Sequence, residues 1–306
     1  MTSASVSRPL TRRRPTSERA MEVALFVAAA LGVVTTAGII GVLALETFEF
    51  FREIDPLEFF TGTIWSASIK PYAWGVLPLV AGTLLIAAIA IVVAVPLGLL
   101  SAVLLAEYAT ARMRTVVKPI LETIAGIPTI VLGFFAVNFL APQILVPLLG
   151  KDNIGTFSAL SAGLVVGLLI TPLIASISED AMSAVPRGMR EGAYAMGATK
   201  FEVVRKVVFP AAISGIMASI ILATSRAIGE TMAVVLASGG QPQLTLDPTE
   251  SVQTMTHFII QISTGDTPQG SIQFKSLFAV AATLFVMTFA LNIISNWVVR
   301  RFRTAY

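Results

Sequence analysis

The chain has 306 residues, of which 55% are hydrophobic and 13% charged, and its mean hydropathy of +0.83 exceeds what a water-soluble domain carries. The 21 Lys and Arg against 18 Asp and Glu leave a net charge of +3, too small to indicate a nucleic-acid partner. Zero cysteines exclude disulfides, iron–sulfur clusters and thiolate zinc sites, and the single histidine, His257, excludes a multi-His metal site.

A bilayer-spanning helix needs about 20 predominantly apolar residues. Six runs qualify, at about 23–45, 76–106, 116–140, 154–178, 207–237 and 276–299. The third is free of charge only from Thr123, and the fifth is interrupted by Arg226 and Glu230. The first run follows basic residues, as a secretory signal does, but its length and the lack of a small-residue cleavage site mark a retained anchor. The expected fold class is therefore all-α: a polytopic membrane protein of six transmembrane helices, with residues 1–21 a basic tail and residues 22–306 one transmembrane domain.

Basic residues beside the spans set the orientation. Arg8, Arg12, Arg13, Arg14 and Arg19 precede the first span; Arg112, Arg114 and Lys118 lie between the second and third; Arg187, Arg190, Lys200, Arg205 and Lys206 lie between the fourth and fifth; Arg300, Arg301 and Arg303 follow the sixth. Those sixteen share one side. The opposite loops hold only Arg52, Lys70, Lys151 and Lys275, with nine acids. Both termini are expected in the cytoplasm, the arginine-rich start reading as a disordered topogenic tail rather than a nucleic-acid arm.

In chain order, the first outer loop, Glu46 to Ala73, is aromatic and acidic. Lys118 and Glu122 stand one turn apart and are expected to pair locally. Gly126-Ile-Pro128 breaks helical hydrogen bonding in the third span, either as a packing kink or to line a passage and offer N–H groups to an anion. Thr171-Pro172 in the fourth reads as a structural kink. Between spans four and five, in the loop 179–206, Pro186 suits a helix start, Gly197 the positive φ just past a helix end, and Thr199 with Glu202 a capping box. The result is helix, tight turn, helix, with Met189, Ala193 and Met196 on one face, and Gly192 and Ala193 small enough for another protein to approach the backbone.

In the fifth span, Arg226 and Glu230 fall one turn apart. They are either a self-neutralising structural pair or an oxyanion site in which the planar guanidinium meets the anion. The outer loop from Ser238 to Gln273 has Val252, Met255, Phe258, Ile259 and Ile262 at helical spacing, which suits an interfacial helix or a docking surface; His257 within it is expected to be solvated. Asn292 and Asn296 are expected to bridge helices. No His-Glu-x-x-His, no paired intramembrane aspartates and no phosphate-binding Gly-x-x-x-x-Gly-Lys loop are present, which disfavours an enzyme and excludes ATP hydrolysis by this chain alone.

Glu191-Gly-Ala193, three residues, Gly197, nine residues and Val207-Val-Phe-Pro210 resembles the EAA motif of ABC-importer permeases, with Gly192 in place of the middle alanine. Further stretches, among them Glu122-Thr-Ile-Ala-Gly-Ile-Pro128, Ser178-Glu-Asp-Ala-Met182, Ala106-Glu-Tyr108 and Ser225-Arg-Ala-Ile-Gly-Glu-Thr-Met232, make residues 60 to 300 similar to the PstC-type permeases of phosphate importers. The resemblance implies a cell-membrane transport subunit with no cofactor of its own. Its implied partners are a PstA-like second permease, a PstB-like ATPase dimer that uses the ATP, a PstS-like binding protein, phosphate and membrane lipids. It implies ATPase coupling through Glu191, Gly192, Ala193, Met196 and Gly197, and a substrate path at Arg226, Glu230, Gly126 and Pro128. A permease for molybdate, sulfate or phosphonate is the alternative.

Overall fold

The computed structural model describes residues 16–67 and 69–301. Most of the basic tail, including Arg8 and Arg12 to Arg14, lies outside the described residues, as do Arg303 and the side chains of Asn296, Arg300 and Arg301. Six helices among the described residues are long and apolar enough to cross a membrane: Glu18–Glu53, Leu77–Tyr108, Thr129–Leu149, Ala159–Ser183, Lys200–Gly229 and Ile272–Ser295, here spans one to six.

Spans two, four and five form the centre. Gly163 packs on Ile89, Gly167 on Ala90 and Gly98 on Ile174, so residues rise together along spans two and four and the two run parallel. Small residues bring the backbones close, which is how helices gain contact where lipid offers no hydrophobic drive. A Cβ at Gly163 would fall 2.6 Å from Ile89 Cβ. Thr171 and Pro172 are buried in this centre, and the Thr171 hydroxyl donates to the Gly167 carbonyl at 2.7 Å. Span four stays one continuous helix through the proline.

Span one stands apart from the centre. Its apolar stretch is exposed along its length, and it meets span six where Thr47 Oγ1 donates to Phe278 O at 3.1 Å. Lys275 then ties the end of span one by ion pairs to Glu49 at 3.2 Å and Glu53 at 2.9 Å. Beyond it the chain forms a short helix, Pro56–Thr61, capped by Asp55, and a two-stranded hairpin pairing Trp65 with Trp74. The rings of Phe50, Phe59, Trp65, Trp74 and Phe258 pack edge to face, with Trp65 and Phe258 4.8 Å apart. The aromatic composition of this loop thus makes a second, smaller core beside the helix bundle.

The fourth span is shifted, running Ala159–Ser183 rather than 154–178, and two further spans differ in kind from the expectation. The third does not run from 116 to 140. A separate helix, Ala111–Ala125, opens on a Thr110 cap and ends at Gly126, and the span begins at Thr129. Pro128 lacks an N–H and holds φ −55° and ψ 128°, so it restarts the helix rather than continuing it; the first helix carries Arg112, Arg114, Lys118 and Glu122, which the apolar span cannot absorb. The fifth span does not run unbroken to 237. Its helix ends at Gly229, Glu230 is extended at φ −65° and ψ 134°, and a half-helix, Met232–Ala237, follows.

Candidate functional site

The two halves of the candidate site lie at the break in span five and at the helical hairpin between spans four and five. The half-helix after the break packs against the start of span three: a Cβ at Gly133 would meet Leu236 Cβ at 3.0 Å and Ala233 Cα at 3.2 Å. Gly126 and Pro128, both exposed, precede one of these packed helices, and Glu230 precedes the other. Both breaks therefore open onto the same helix pair.

Arg226 and Glu230 do not form the pair the spacing suggests. The helix stops at Gly229 and the backbone turns away only after Glu230, whose own φ of −65° is still helical, and no ion pair joins the two side chains among the described residues. Arg226 is exposed on the flank of span five, beside Ser225, whose hydroxyl donates to Asn292 Oδ1 of span six at 3.3 Å. Glu230 is buried, at 9% exposure, and its carbonyl accepts from Thr256 Oγ1 at 3.0 Å. The geometry thus presents a cation on an exposed flank and a buried acid whose backbone carbonyl is held at a break.

The hairpin is the region that sequence rules describe best. A helix spans Arg187–Ala195, Gly197 has φ 81°, and both halves of the Thr199–Glu202 capping box form. Glu191 and Gly192 are exposed, and nothing approaches a Cβ at Gly192 within 4 Å. Met189 and Ala193 turn inward onto Met182, Val185 and Val203. Met196, at the end of the helix, is not covered with them: it is 88% exposed. With Tyr194 and Phe201 it makes a bare apolar and aromatic rim.

Sequence reasoning did not find the charged contacts that tie the hairpin and the helix Ala111–Ala125 to spans two and four. Arg190 pairs with the buried Glu107 at the end of span two at 3.2 Å and donates to Met182 O at 2.6 Å. Lys118 pairs with Glu179 at 2.7 Å and Asp180 at 3.0 Å, not with Glu122. The hydrogen bonds to these carboxylates raise its pKa above the ordinary lysine value. Glu179 also accepts from Ser183 at 3.0 Å, and Lys200 sits 4.8 Å over the Tyr108 ring. The available signal was an acid in the last turns of an otherwise apolar run, facing a basic loop.

The fold of the chain is similar to that of solved ABC-transporter chains. The structure superposes on a chain of a bacterial alginate ABC transporter with a TM-score of 0.66 at 14% identity, covering 96% of this chain and 100% of that one. Residues 94–304 match the binding-protein-dependent transport system inner membrane components, and the chain belongs to that family. It is 34% identical over 252 residues to the probable ABC transporter permease protein YqgH of Bacillus subtilis, covering 82% of this chain and 79% of that protein. It is 33% identical over 284 residues to the phosphate transport system permease protein PstC 1 of Mycobacterium bovis, covering 81% and 83%. The chain is thus a multi-pass inner-membrane transport subunit rather than an enzyme, working beside a separate ATPase, a second membrane subunit and a binding protein.

Proposed function

We propose that this chain is the PstC-type permease half of an ATP-driven phosphate importer, completed by a PstA-like permease, a PstB-like ATPase dimer and a PstS-like phosphate-binding protein. The observation that carries the reading is Arg226. A guanidinium facing lipid at membrane depth costs about 2.5–3.5 kcal/mol on insertion scales; Arg226 is exposed on the flank of span five with no ion-pair partner among the described residues, which suits a wet passage between two permeases. Its planar donors match phosphate oxygens. Glu230, at the break, accepts a hydrogen bond from the protonated oxygen that phosphate has and sulfate lacks, and keeps the cation from trapping the anion. Gly126 and Pro128 line the same passage where span three begins.

Both termini and the hairpin Arg187–Ala195 lie in the cytoplasm on this reading, by the excess of basic residues on that side. The ATPase docks on Glu191, Gly192, Met196 and the surrounding rim, with Gly197 setting the turn and Ala193 seating the helix.

Reconstitution of the four components in liposomes tests the proposal. Phosphate should move at the expense of ATP, sulfate and molybdate should not, and transport should require the ATPase on the side of the basic residues. Arg226→Gln should lower phosphate transport about tenfold to a hundredfold while the complex still assembles, the loss of a charged hydrogen bond. Wild-type transport in Arg226→Gln, or preferential movement of sulfate or molybdate, overturns the reading.

A further inference from the structure

The segment between spans five and six contains buried polar chemistry that charge selection and ATPase coupling do not use. Beyond the half-helix, Ser238 O accepts from Val252 N at 3.0 Å and Gly240 N donates to Val252 O at 3.2 Å, so the chain folds back on itself. Residues Val252 to Thr256, all buried, then wedge against span two. The Gln253 carbonyl lies where a Cβ on Gly82 would be 2.5 Å away, and Met255 N donates to Thr83 Oγ1 at 3.0 Å.

A directed chain of hydrogen bonds leaves this wedge for the break in span five. Thr256 Oγ1 donates to Glu230 O at 3.0 Å. Its one proton is committed there, so the 3.0 Å contact between the Thr254 and Thr256 hydroxyls has Thr254 as donor. Thr254 Oγ1 in turn accepts from His257 N at 3.1 Å, at the start of the helix Met255–Thr264. Each hydroxyl thus orders the next, from that helix to the carbonyl of the residue at which the membrane helix stops.

We infer that Thr256 is a positioning residue for the transport site: it fixes the Glu230 carbonyl, and with it the extended ψ at which span five stops, one turn beyond Arg226. The inference rests on the transport reading above and adds a route by which the segment Ser238–Ser271 governs the site. Removing the hydroxyl leaves a buried carbonyl without that donor, and the break is then free to relax toward other backbone conformations.

The test uses the complete transporter in liposomes and nanodiscs. Thr256→Val keeps the shape and removes the hydroxyl. Phosphate moved per ATP hydrolysed should fall about tenfold, hydrogen exchange of amides 229–232 should quicken, and Thr256→Ser should restore both. Wild-type stoichiometry and wild-type exchange in Thr256→Val overturn the inference. Should that variant fail to assemble, the wild-type complex decides: amides 229–232 and 254–257 should gain exchange together during ATP turnover, and a gain confined to one segment overturns the coupling. A wild-type complex that moves no phosphate defeats the transport reading instead, and the exchange measurements still settle the role of Thr256.

Discussion

The segments that flank span five are both short, amphipathic helical stretches in the sequence, and the structure treats them oppositely. On the basic side, Met196 and Phe201 stand 88% and 63% exposed, with Tyr194 beside them. On the other side, Met255, Phe258 and Ile262 are at most 4% exposed, locked among Trp65, Trp74 and Leu79. Helical periodicity says that a helix has an apolar face; it does not say which chain covers it. Where this chain covers the face itself, the segment is wired to the membrane helices by backbone and hydroxyl contacts. Where the face is bare, a few buried charges hold the helix while its outer surface stays available to a partner.

The largest expected effect comes from cutting the charge that holds the bare hairpin. Arg190→Ala leaves Glu107, only 7% exposed at its side chain, as a buried carboxylate without its cation, which costs about 3–5 kcal/mol. Thermal unfolding of the purified protein in nanodiscs should show a clear loss of stability, largely recovered when Glu107→Gln is added. Unchanged melting would mean that the hairpin is held by its apolar underside alone, and the contrast with the wired segment would sharpen further.

What the sequence makes legible in these two regions follows from how local the causes are. The Gly197 turn and the Thr199–Glu202 cap depend on residues within a few positions of one another, so residue type and spacing carry them. The stop after Gly229 has only that glycine as a local marker, and a lone glycine in an apolar run does not by itself say that the helix ends. No proline follows it, and Glu230 is held by Thr256, 26 residues further on. Lys118 likewise takes partners 61 and 62 residues away in preference to Glu122. The start of span three was written locally, in Gly126, Pro128 and the charges before them, but an apolar average over the run blurs that boundary. The six spans and the family-like hairpin were therefore readable, whereas the relation between Arg226 and Glu230, and the burial of the Met255–Thr264 helix, rest on contacts distant in the chain.

Two glycines separate local from distant control more finely. At Gly82 an added Cβ would meet the Gln253 carbonyl, a backbone atom with little room to yield, at 2.5 Å; Gly82→Ala should destabilise the wired segment by about 1–3 kcal/mol. At Gly197 nothing lies within 4 Å, so Gly197→Ala meets only the strain of φ 81°, about 1 kcal/mol. Melting of the two variants side by side checks the order. Equal losses, or a larger loss at Gly197, would mean that the acid-side wedge is not tightly seated against span two.

The smallest expected effect is a dependence on pH that belongs to one of the two segments only. His257 is not the solvated side chain its loop position suggests. It packs against Gly240, with Nδ1 3.5 Å from the Ser238 hydroxyl, and burial lowers its pKa below the ordinary 6.5. The folded state therefore favours the neutral ring, and the unfolded state binds the proton first as pH falls. Stability contributed by the neutral ring is fully present above pH 6.5, and is lost as the pH drops from there through the depressed folded value. Hydrogen exchange in Met255–Thr264 should accordingly rise between about pH 7 and pH 5, after correction for the intrinsic exchange rate, and the helix Arg187–Ala195, which contains no histidine, should not follow it. In His257→Gln the corrected rise should flatten. An equal pH response in the wild-type and Gln variants would place the titrating group elsewhere, among the carboxylates of that side, and would remove His257 from the devices that hold the segment in place.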